Sequence, residues 1–338
     1  MHPAALLAAA ETGFAKIHVL LAWDEESQPR RPVGFWALQE RRDLPLVPAF
    51  LEALPYNYAF TSNAVIDSAC ADGVVAAFFD AVRRDLRLPK IISLRSFEAD
   101  SVVYPAMLRH LAGTGRHREL HRFERPFADR SSGTRKSRSA CKKLRSVWNR
   151  ISAAGSVEIV NDRRPAEAEA AFETFLVLEA ASWKGAEGTA LLSDADDARF
   201  ARRLFHNLAA QDLASVALLS VDDQAIAAQV LFYSGRQAYT WKTAFNSAFA
   251  QFSPGALLID KVTESLLESG RIVTIDSCSY ADGFMARLFT GRRTMVDALI
   301  DVRSRSSLAF AMDVACHQGH EQIRRVQDRM RRAIKRPR

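Results

Sequence analysis

Residues 214–278 place three strand-like segments, a helix-like segment and a fourth strand-like segment in close succession. The first three, "ASVALLSV", "QAIAAQVLFY" and "QAYTWKTAF", are joined by short turns containing Asp222-Asp223 and Ser234-Gly235. Such spacing predicts antiparallel hairpins. A helix starting near Pro254 and the strand "RIVTIDSC" follow. This order restricts the second half of the chain to a mixed sheet with helices packed against it.

The helix in this succession begins with small residues, Ser-Pro-Gly-Ala. Ser253 is placed as the N-cap and Pro254 as the first helical residue, while Gly270 marks the end. Two interpretations stay open for this entrance. It is an ordinary helix start, or its free N–H groups bind an anion, with Gly255 and Ala256 allowing close approach to the backbone.

The first half of the chain repeats the same kind of order. "KIHVLLAW" and "PVGFWALQ" read as strands, followed by a helix over roughly 71–87, the strand "KIISLRSF" and the helix "SVVYPAMLRHLAG". The second half adds the strand "GSVEIVND" and helices over roughly 166–184, 195–212 and 282–289. We interpret the pattern as two tandem domains of mixed α/β (α+β) class, 1–133 and 134–338, each with a mostly antiparallel sheet flanked by helices.

The positive charge of the chain is concentrated in two segments. The net charge is +7, but residues 130–150 carry +8 and residues 321–338 carry +6, which leaves −7 on the rest. In the first segment, apolar residues share one face of a helix and the charges lie opposite. This pattern is typical of a docked amphipathic helix with a solvated basic face. A contact with the phosphates of an acidic substrate or RNA is the alternative.

The spacing of the cysteines and the hydropathy of the chain indicate the cellular compartment. The four cysteines (70, 141, 278 and 316) show no paired spacing, so we expect reduced thiols in a cytoplasmic protein. The N-terminal apolar run lacks a basic n-region and is interrupted by Glu11, so it does not resemble a signal peptide. No run approaches the ~20 apolar residues of a membrane helix.

Four local motifs of the second half resemble a known family. They are "LEAASWKGAEGTALL" (178–192), "DDQAIAAQVLF" (222–232), "WKTAFNSAFAQFSPGALL" (241–258) and "IDSCS" (275–279). Together with the element order they resemble the GNAT acyltransferases, in particular the Fem-like double-GNAT proteins that include the CelD-type cellulose-biosynthesis acetyltransferases. The resemblance is specific over roughly 134–302. It implies a tandem GNAT fold in which the second copy binds the acyl donor and the first is degenerate.

One departure from this branch concerns chemistry. The branch usually has Tyr-Asp-Glu after the Trp-Lys strand, whereas this chain has Phe245, Asn246 and Ser247. An acid/base role of that aspartate therefore does not carry over to this chain.

The resemblance implies an acyl-CoA site between two splayed strands, "QAYTWKTAF" and "RIVTIDSC". The CoA pyrophosphate would lie on the N-terminus of the helix between them. A backbone N–H near Ala244 or Phe245 would polarise the thioester carbonyl. The predicted donor-binding residues are Ala244, Phe245, Ser253, Gly255, Ala256 and Leu257.

Direct acyl transfer needs positioning and a proton acceptor, but no covalent nucleophile. Asp276 ends an apolar strand, so we expect it to be either the base or an N-cap of the next helix. Lys242 either faces the cleft as a catalytic residue or reaches solvent. Trp183, Lys184 and Tyr239 are the predicted substrate-binding residues, with an aromatic core anchor as the alternative for Trp183.

Other chemistries have weaker support. Cys316, His317 and His320 in "CHQGH" lack a second ligand group, so we expect no metal. Cys278 has no neighbouring histidine in sequence, and neither a P-loop nor a Gly-x-Ser-x-Gly motif occurs.

Three functions follow from these features. The first is acyl-CoA-dependent N- or O-acyl transfer, from acetyl-CoA or another acyl-CoA, to a sugar, amino sugar or cell-envelope precursor. The second is a Fem-like transferase that takes its donor from aminoacyl-tRNA, and the third is a non-catalytic binding module. We expect small-molecule partners, no membrane span and no nucleic acid except tRNA in the second case. Oligomeric state is left open.

Overall fold

A computed structural model of the protein describes residues 2–42, 48–53, 60–130, 138–153, 155–280, 284–305 and 307–315. The described helices are α1 (Pro3–Thr12), α2 (Ala71–Arg84), α3 (Val103–Thr114), α4 (Arg138–Ser152), α5 (Pro165–Ala180), α6 (Trp183–Ala186), α7 (Ala195–Ala209), α8 (Pro254–Glu268) and α9 (Met285–Leu288), with one more over 308–315. The strands are β1 (Ile17–Asp24), β2 (Arg31–Arg41), β3 (Phe50–Ala53), β4 (Val65–Ile66), β5 (Ile91–Glu98), β6 (Arg116–Asp129), β7 (Val157–Val160), β8 (Ala214–Val221), β9 (Gln224–Ser234), β10 (Gln237–Phe245), β11 (Thr274–Asp276) and β12 (Gly291–Asp301).

The chain forms two compact units, each built from more than one segment. The first unit comprises Ala15–Arg122 and the described residues from Thr294 onward, and the second comprises His2–Phe14 and Phe123–Arg293. The sequence predicts two consecutive domains, 1–133 and 134–338. The predicted boundary at 133/134 lies outside the described residues and stays a prediction.

In the second unit the strand order is β6-β11-β10-β9-β8-β7. The pairs β7–β8, β8–β9, β9–β10 and β11–β6 are antiparallel, and β10–β11 is parallel. This is the predicted mixed, mostly antiparallel sheet. Strands β8 and β10 have the predicted bounds.

Helices cover both faces of this sheet. Leu257 and Leu258 of α8 pack with Val147 and Ile151 of α4 and with odd-numbered residues of β9 such as Leu231. The even-numbered Phe232 points to the other face, where it meets Phe205 of α7, itself stacked on Phe172 of α5. The basic helix is therefore docked by an apolar face, as predicted.

The first unit has its own hydrophobic core. Its strand order is β1-β2-β3-β5-β12, with β4 paired to β2, and only the β3–β5 pair is parallel among these described strands. Helices α2 and α3 bury Val74, Phe78, Phe79 and Met107 against these strands. The predicted mixed α/β class thus holds in each unit.

Two long strands, β6 and β12, have no counterpart among the predicted elements. In β6, "RHRELHRFERPFAD", charged residues dominate and only the last third is buried. The predicted strand "RIVTIDSC" is in turn shorter, since β11 covers only Thr274–Asp276. The predicted helix over 166–184 ends at Ala180.

Helix α2 packs closely on β2 at Gly34, which gives a stability test. A Cβ at Gly34 would lie 2.3 Å from Cγ1 of Val74 and 3.0 Å from Cζ of Phe78. We expect Gly34→Ala to lower the free energy of unfolding by about 1–3 kcal/mol through overpacking. A Cβ at Gly73, inside α2, would meet no described atom within 4 Å, so Gly73→Ala is the control and should stabilise by about 0.5–1 kcal/mol. Urea unfolding measures both, and equal effects would contradict the packing argument.

Candidate functional site

Strands β10 and β11 part after three paired residues. The last parallel pair is Tyr239 with Asp276, where β11 ends, while β10 continues to Phe245. The Thr240 hydroxyl donates to the backbone carbonyl of Asp276 at 3.1 Å and so closes the ladder at this point. Beyond it, β10 has one edge that none of the described strands covers. This geometry corresponds to the predicted splay.

The register of β9 and β10 shows which amides face this open edge. The N–H of Asn246 donates to the carbonyl of Ile226 at 2.8 Å, and Ala244 lies opposite Ala228 in the same register. Because hydrogen bonds alternate along an antiparallel pair, the Ala244 amide points to β9. The amides of Thr243 and Phe245 then point to the open edge. Of the two predicted carbonyl-polarising amides, this geometry favours Phe245 over Ala244.

Helix α8 begins beside that edge, and its start is unusual. Ser253 has left-handed backbone angles (φ 45°, ψ 53°), and its side chain makes no capping hydrogen bond within the described chain. Its carbonyl instead accepts the amides of Ala256 and Leu257 at 3.0 and 3.2 Å. Pro254 has no N–H, so the Gly255 amide is the first-turn donor left without a partner among the described residues. The predicted position of Ser253 is right, but its predicted side-chain cap is not formed.

Two predicted donor-binding residues also have packing roles. A Cβ on Gly255 would lie 3.3 Å from Cγ2 of Thr243 and 3.8 Å from Cδ1 of Phe245. Glycine there lets α8 approach β10. The Leu257 side chain is buried in the core of the unit, so only its backbone faces the helix start. Ala256 is half-buried.

A buried carboxylate that the sequence analysis missed lies beside β10. Glu179, in the last turn of α5, is 0 % exposed. Its Oε1 atom accepts Lys184 Nζ at 3.1 Å and lies 3.4 Å from Lys242 Nζ. Its Oε2 atom accepts the Leu191 amide at 2.9 Å. One carboxylate thus holds both predicted lysines.

Lys184 is fixed at the open edge of β10. Its ammonium also donates to the Thr243 carbonyl at 3.0 Å, which faces this edge as the Thr243 amide does. Burial is the main cause that lowers the pKa of Lys184 from its usual 10.5. The short helix α6 sets its position, because the Ser182 hydroxyl accepts the Lys184 amide at 3.2 Å. A Cβ at Gly185 would lie 1.8 Å from the Ala180 carbonyl oxygen, so this turn requires glycine.

Trp183 and Lys184 therefore do not end the long helix, as predicted, but begin α6. The Trp183 side chain is 57 % exposed, which is inconsistent with an aromatic core anchor and leaves it accessible to a ligand. Lys242 does not reach freely into solvent, because it contacts Glu179 and is 21 % exposed.

Asp276 is buried, as expected for the end of an apolar strand, but it is held by cations. It is 2 % exposed, and its two carboxylate oxygens lie 3.3 Å from Nη1 of Arg293 and 3.8 Å from Nη1 of Arg125. The Cys278 amide donates to it at 2.7 Å. Two guanidinium groups therefore lie against this carboxylate, where a general base would have to meet the proton of the acceptor. The alternative, an N-cap of the next helix, is not formed, since α9 begins after Phe284.

Pairing places three predicted residues on one face of the sheet. Tyr239 is directly paired with Asp276, so the two side chains point the same way. Lys242 points to α5 on that same face, as its contact with Glu179 shows. Tyr239 Oη donates to Gln237 Oε1 at 2.8 Å. Helix α8 lies on the other face, so the lysines and the start of α8 approach β10 from opposite sides.

Asn246, the departure from the branch pattern, has a structural role. Its side chain accepts the Ala248 amide at 3.0 Å and caps a 3-10 helix over Ser247–Phe252. A carboxylate in this position would accept the same hydrogen bond. The substitution removes a charge while the turn is kept.

Among the described residues, no group of histidine, cysteine or acidic side chains has the arrangement of a metal site. Cys316, His317 and His320 lie outside them. Cys70 and Cys278 are free thiols. In the described part of the chain, no helix combines the length and apolar character needed to cross a bilayer.

Comparison with known proteins gives a family match for the segment that contains this site. Residues 138–284 match the family model of the acetyltransferase (GNAT) domain. This range contains β10, the start of α8 and β11. The resemblance of this segment to the GNAT family, which the motifs predicted, is therefore confirmed. No curated protein sequence is significantly similar to it.

Solved structures are similar over almost the whole chain. FemX has 12% identity and a TM-score of 0.58, with 88% of this chain and 91% of that chain covered. The C-terminal domain of a putative lysylphosphatidylglycerol synthetase from Agrobacterium fabrum has 15% identity and a TM-score of 0.55, with 91% of both chains covered. L-PGS from Bacillus licheniformis has 14% identity and a TM-score of 0.54, with 92% and 95% covered. These likenesses show the fold alone, and the predicted likeness to the fold of Fem-type proteins is confirmed.

The Glu179 contacts give a prediction for stability. Glu179→Gln leaves two largely buried ammonium groups without a counter-ion, so we expect the free energy of unfolding to fall by about 3–5 kcal/mol. Glu173→Gln, on the same helix, is the control. Glu173 pairs with Arg202 at 2.7 Å, but both side chains are about half exposed, so the loss should stay under about 1 kcal/mol. Chemical unfolding compares them, and similar losses would contradict the role given to Glu179.

Proposed function

We propose that the chain is an acyl-CoA-dependent N- or O-acyltransferase that transfers the acyl group directly from the thioester. The observation that carries this proposal is the open edge of β10. There the Phe245 amide is directed outward beside the start of α8, inside the segment that matches the acetyltransferase domain. An amide and a helix N-terminus next to each other suit a carbonyl and a phosphate of one ligand.

The donor would be held by backbone groups. The Gly255 amide and the positive end of α8 bind the pyrophosphate, and the Phe245 amide binds the thioester oxygen, where negative charge develops. The acceptor nitrogen or oxygen attacks the carbonyl carbon. The bond to sulfur breaks, the acceptor loses its proton, and the thiolate takes one up. Lys184, whose ammonium donates to the Thr243 carbonyl at this edge, is placed to stabilise the negative charge.

We assign Asp276 a role other than that of the predicted general base. Its contacts with Arg125 and Arg293 support a role in fixing these arginines at the end of β11. Its role as a base stays a prediction that this geometry does not favour. Tyr239 and Trp183, on or near the same face, are the residues we propose to line the acceptor side.

The first unit does not offer an equivalent anion site at the start of α2. Asp72 stands in the first turn of that helix, where its negative charge opposes an anion at the positive end of the dipole. Asp72 pairs with Arg109 at 2.7 Å. This supports the proposal that only the second unit binds the donor and that the first is degenerate.

A sugar, amino sugar or envelope precursor as acceptor, and a cytoplasmic location, are parts of the proposal that rest on the sequence resemblance. Transfer from aminoacyl-tRNA is the second candidate. The fold shared with FemX favours it, as do the exposed cations of α4, among them Lys142, Lys143 and Arg145.

Ser253 offers a test of the donor site in which only charge changes. Ser253 is exposed and has a left-handed backbone, which asparagine and aspartate both tolerate. We expect Ser253→Asp to weaken binding of acetyl-CoA about tenfold, because a carboxylate then faces the phosphates at a cost of about 1.4 kcal/mol. Ser253→Asn has the same shape without the charge and should bind nearly as wild type. Calorimetric titration measures both.

The outcomes of this titration separate the possibilities. Equal binding by the two variants would show that the phosphates do not lie at the start of α8. A wild-type protein that binds neither CoA nor acetyl-CoA would overturn the acyl-CoA proposal itself.

The tRNA candidate has its own test. Phosphate contacts from α4 would make tRNA affinity fall steeply with salt. We expect little binding at about 0.15 M salt, where screening is already short-ranged, and no effect of a Lys142→Gln/Lys143→Gln double variant. Filter binding across a salt series measures this. Tight binding that the double variant weakens would favour aminoacyl-tRNA as the donor.

A further inference from the structure

We propose that Lys242 binds an anionic group of the acceptor, so that the acceptor is a carboxylate- or phosphate-bearing molecule. This inference rests on the proposed acyl transfer and names the substrate class of the same site. It follows from the charges around Glu179, from the face on which they lie and from the unequal bonding of the two lysines.

The first step is the charge balance. Two ammonium groups, each on a side chain that is 21 % exposed, share the single carboxylate of Glu179. Within the described residues neither lysine forms an ion pair with any other carboxylate. The cluster therefore carries one unbalanced positive charge in a largely buried place. Burial of an unpaired charge is costly, and an anionic ligand would offset that cost.

The second step is the location. Lys242 and Glu179 lie on the face of the sheet that carries α5, whereas α8 packs on the other face. The donor phosphates proposed for the start of α8 therefore do not neutralise this charge. The anion that Lys242 meets has to come from the other reactant, the acceptor.

The third step is the difference between the two lysines. Lys184 already donates to two acceptors, Glu179 at 3.1 Å and the Thr243 carbonyl at 3.0 Å. Lys242 has one long contact, 3.4 Å to Glu179, and its ammonium lies 5.7 Å from the centre of the Trp241 ring. An ammonium group has three donors. Within the described residues, Lys184 therefore keeps one donor and Lys242 keeps two, so Lys242 is the lysine of this pair with more donors left for a ligand.

The charge balance around Glu179 also predicts which variant should stay folded. Lys242→Met leaves Glu179 and Lys184 as a neutral pair, so we expect no loss of stability. Lys184→Met would remove the lysine that forms the shorter hydrogen bond with Glu179, so it is unsuitable as a test of binding. Lys242→Arg keeps the charge. Lys16→Met, at a lysine of the first unit that is paired with Glu40, is the control for removing a positive charge elsewhere.

The experiment measures binding of matched probes by calorimetry, with and without saturating CoA. The pairs are glucosamine 6-phosphate with glucosamine, and glycylglycine with glycylglycine amide, which separate a phosphate from a carboxylate source. We expect wild type to bind the anionic member of at least one pair about tenfold more tightly. Lys242→Met should lose this preference, while Lys242→Arg and Lys16→Met should retain it.

Three results would overturn the inference. They are equal binding of charged and neutral members, a preference that persists in Lys242→Met, and no binding of any anionic probe. If Lys242 acts only on the developing oxyanion, Lys242→Met lowers kcat for both members of a pair alike and leaves binding unchanged, which also overturns it. Failure of the donor proposal shows separately, as absence of CoA binding in the same titrations.

Discussion

The parting of β10 from β11 is the constraint on which the rest of the site depends. Only three residue pairs hold these strands together in the described sheet, and Thr240 ends the ladder by bonding the Asp276 carbonyl. A strand with one open edge keeps its amides and carbonyls available in the middle of an otherwise paired sheet. The Phe245 amide and the Thr243 carbonyl become usable only because β11 is short. Lys184 satisfies that carbonyl from the α5 face, and α8 begins on the other face.

Much of this arrangement could be predicted from the sequence. The bounds of β8 and β10 follow from period-2 alternation between short turns, and the start of α8 follows from Pro254 and the small residues around it. The motifs predicted the match to the GNAT family and singled out Lys184 and Lys242. Glu179 was the missed residue, although a signal existed. It continues the buried stripe of Phe172, Phe175 and Leu176 on α5, where an acidic residue calls for a buried partner.

The remaining features depend on contacts that no local pattern contains. Strand β6 is rich in arginine and glutamate, residues with modest strand propensity, and it forms because neighbouring strands pair with it. The left-handed Ser253 is set by the 3-10 helix that Asn246 caps just before it. The partners of Asp276 come from β6 and from the start of β12, the two strands that the sequence did not reveal. The sequence alone therefore could not show that cations surround this carboxylate.

The two buried carboxylates of the site, Asp276 and Glu179, have different partners and therefore different roles. Asp276 and Glu179 each face two cations, but Asp276 meets guanidinium groups that stay charged at any working pH. Glu179 meets lysines, and burial already lowers the pKa of one of them, Lys184. The lysine ammonium groups are compact charges on flexible side chains, whereas the planar guanidinium groups hold the Asp276 carboxylate in a defined geometry. The lysines beside Glu179 are therefore the cations that we propose for ligand binding, and the arginines beside Asp276 stabilise the end of β11.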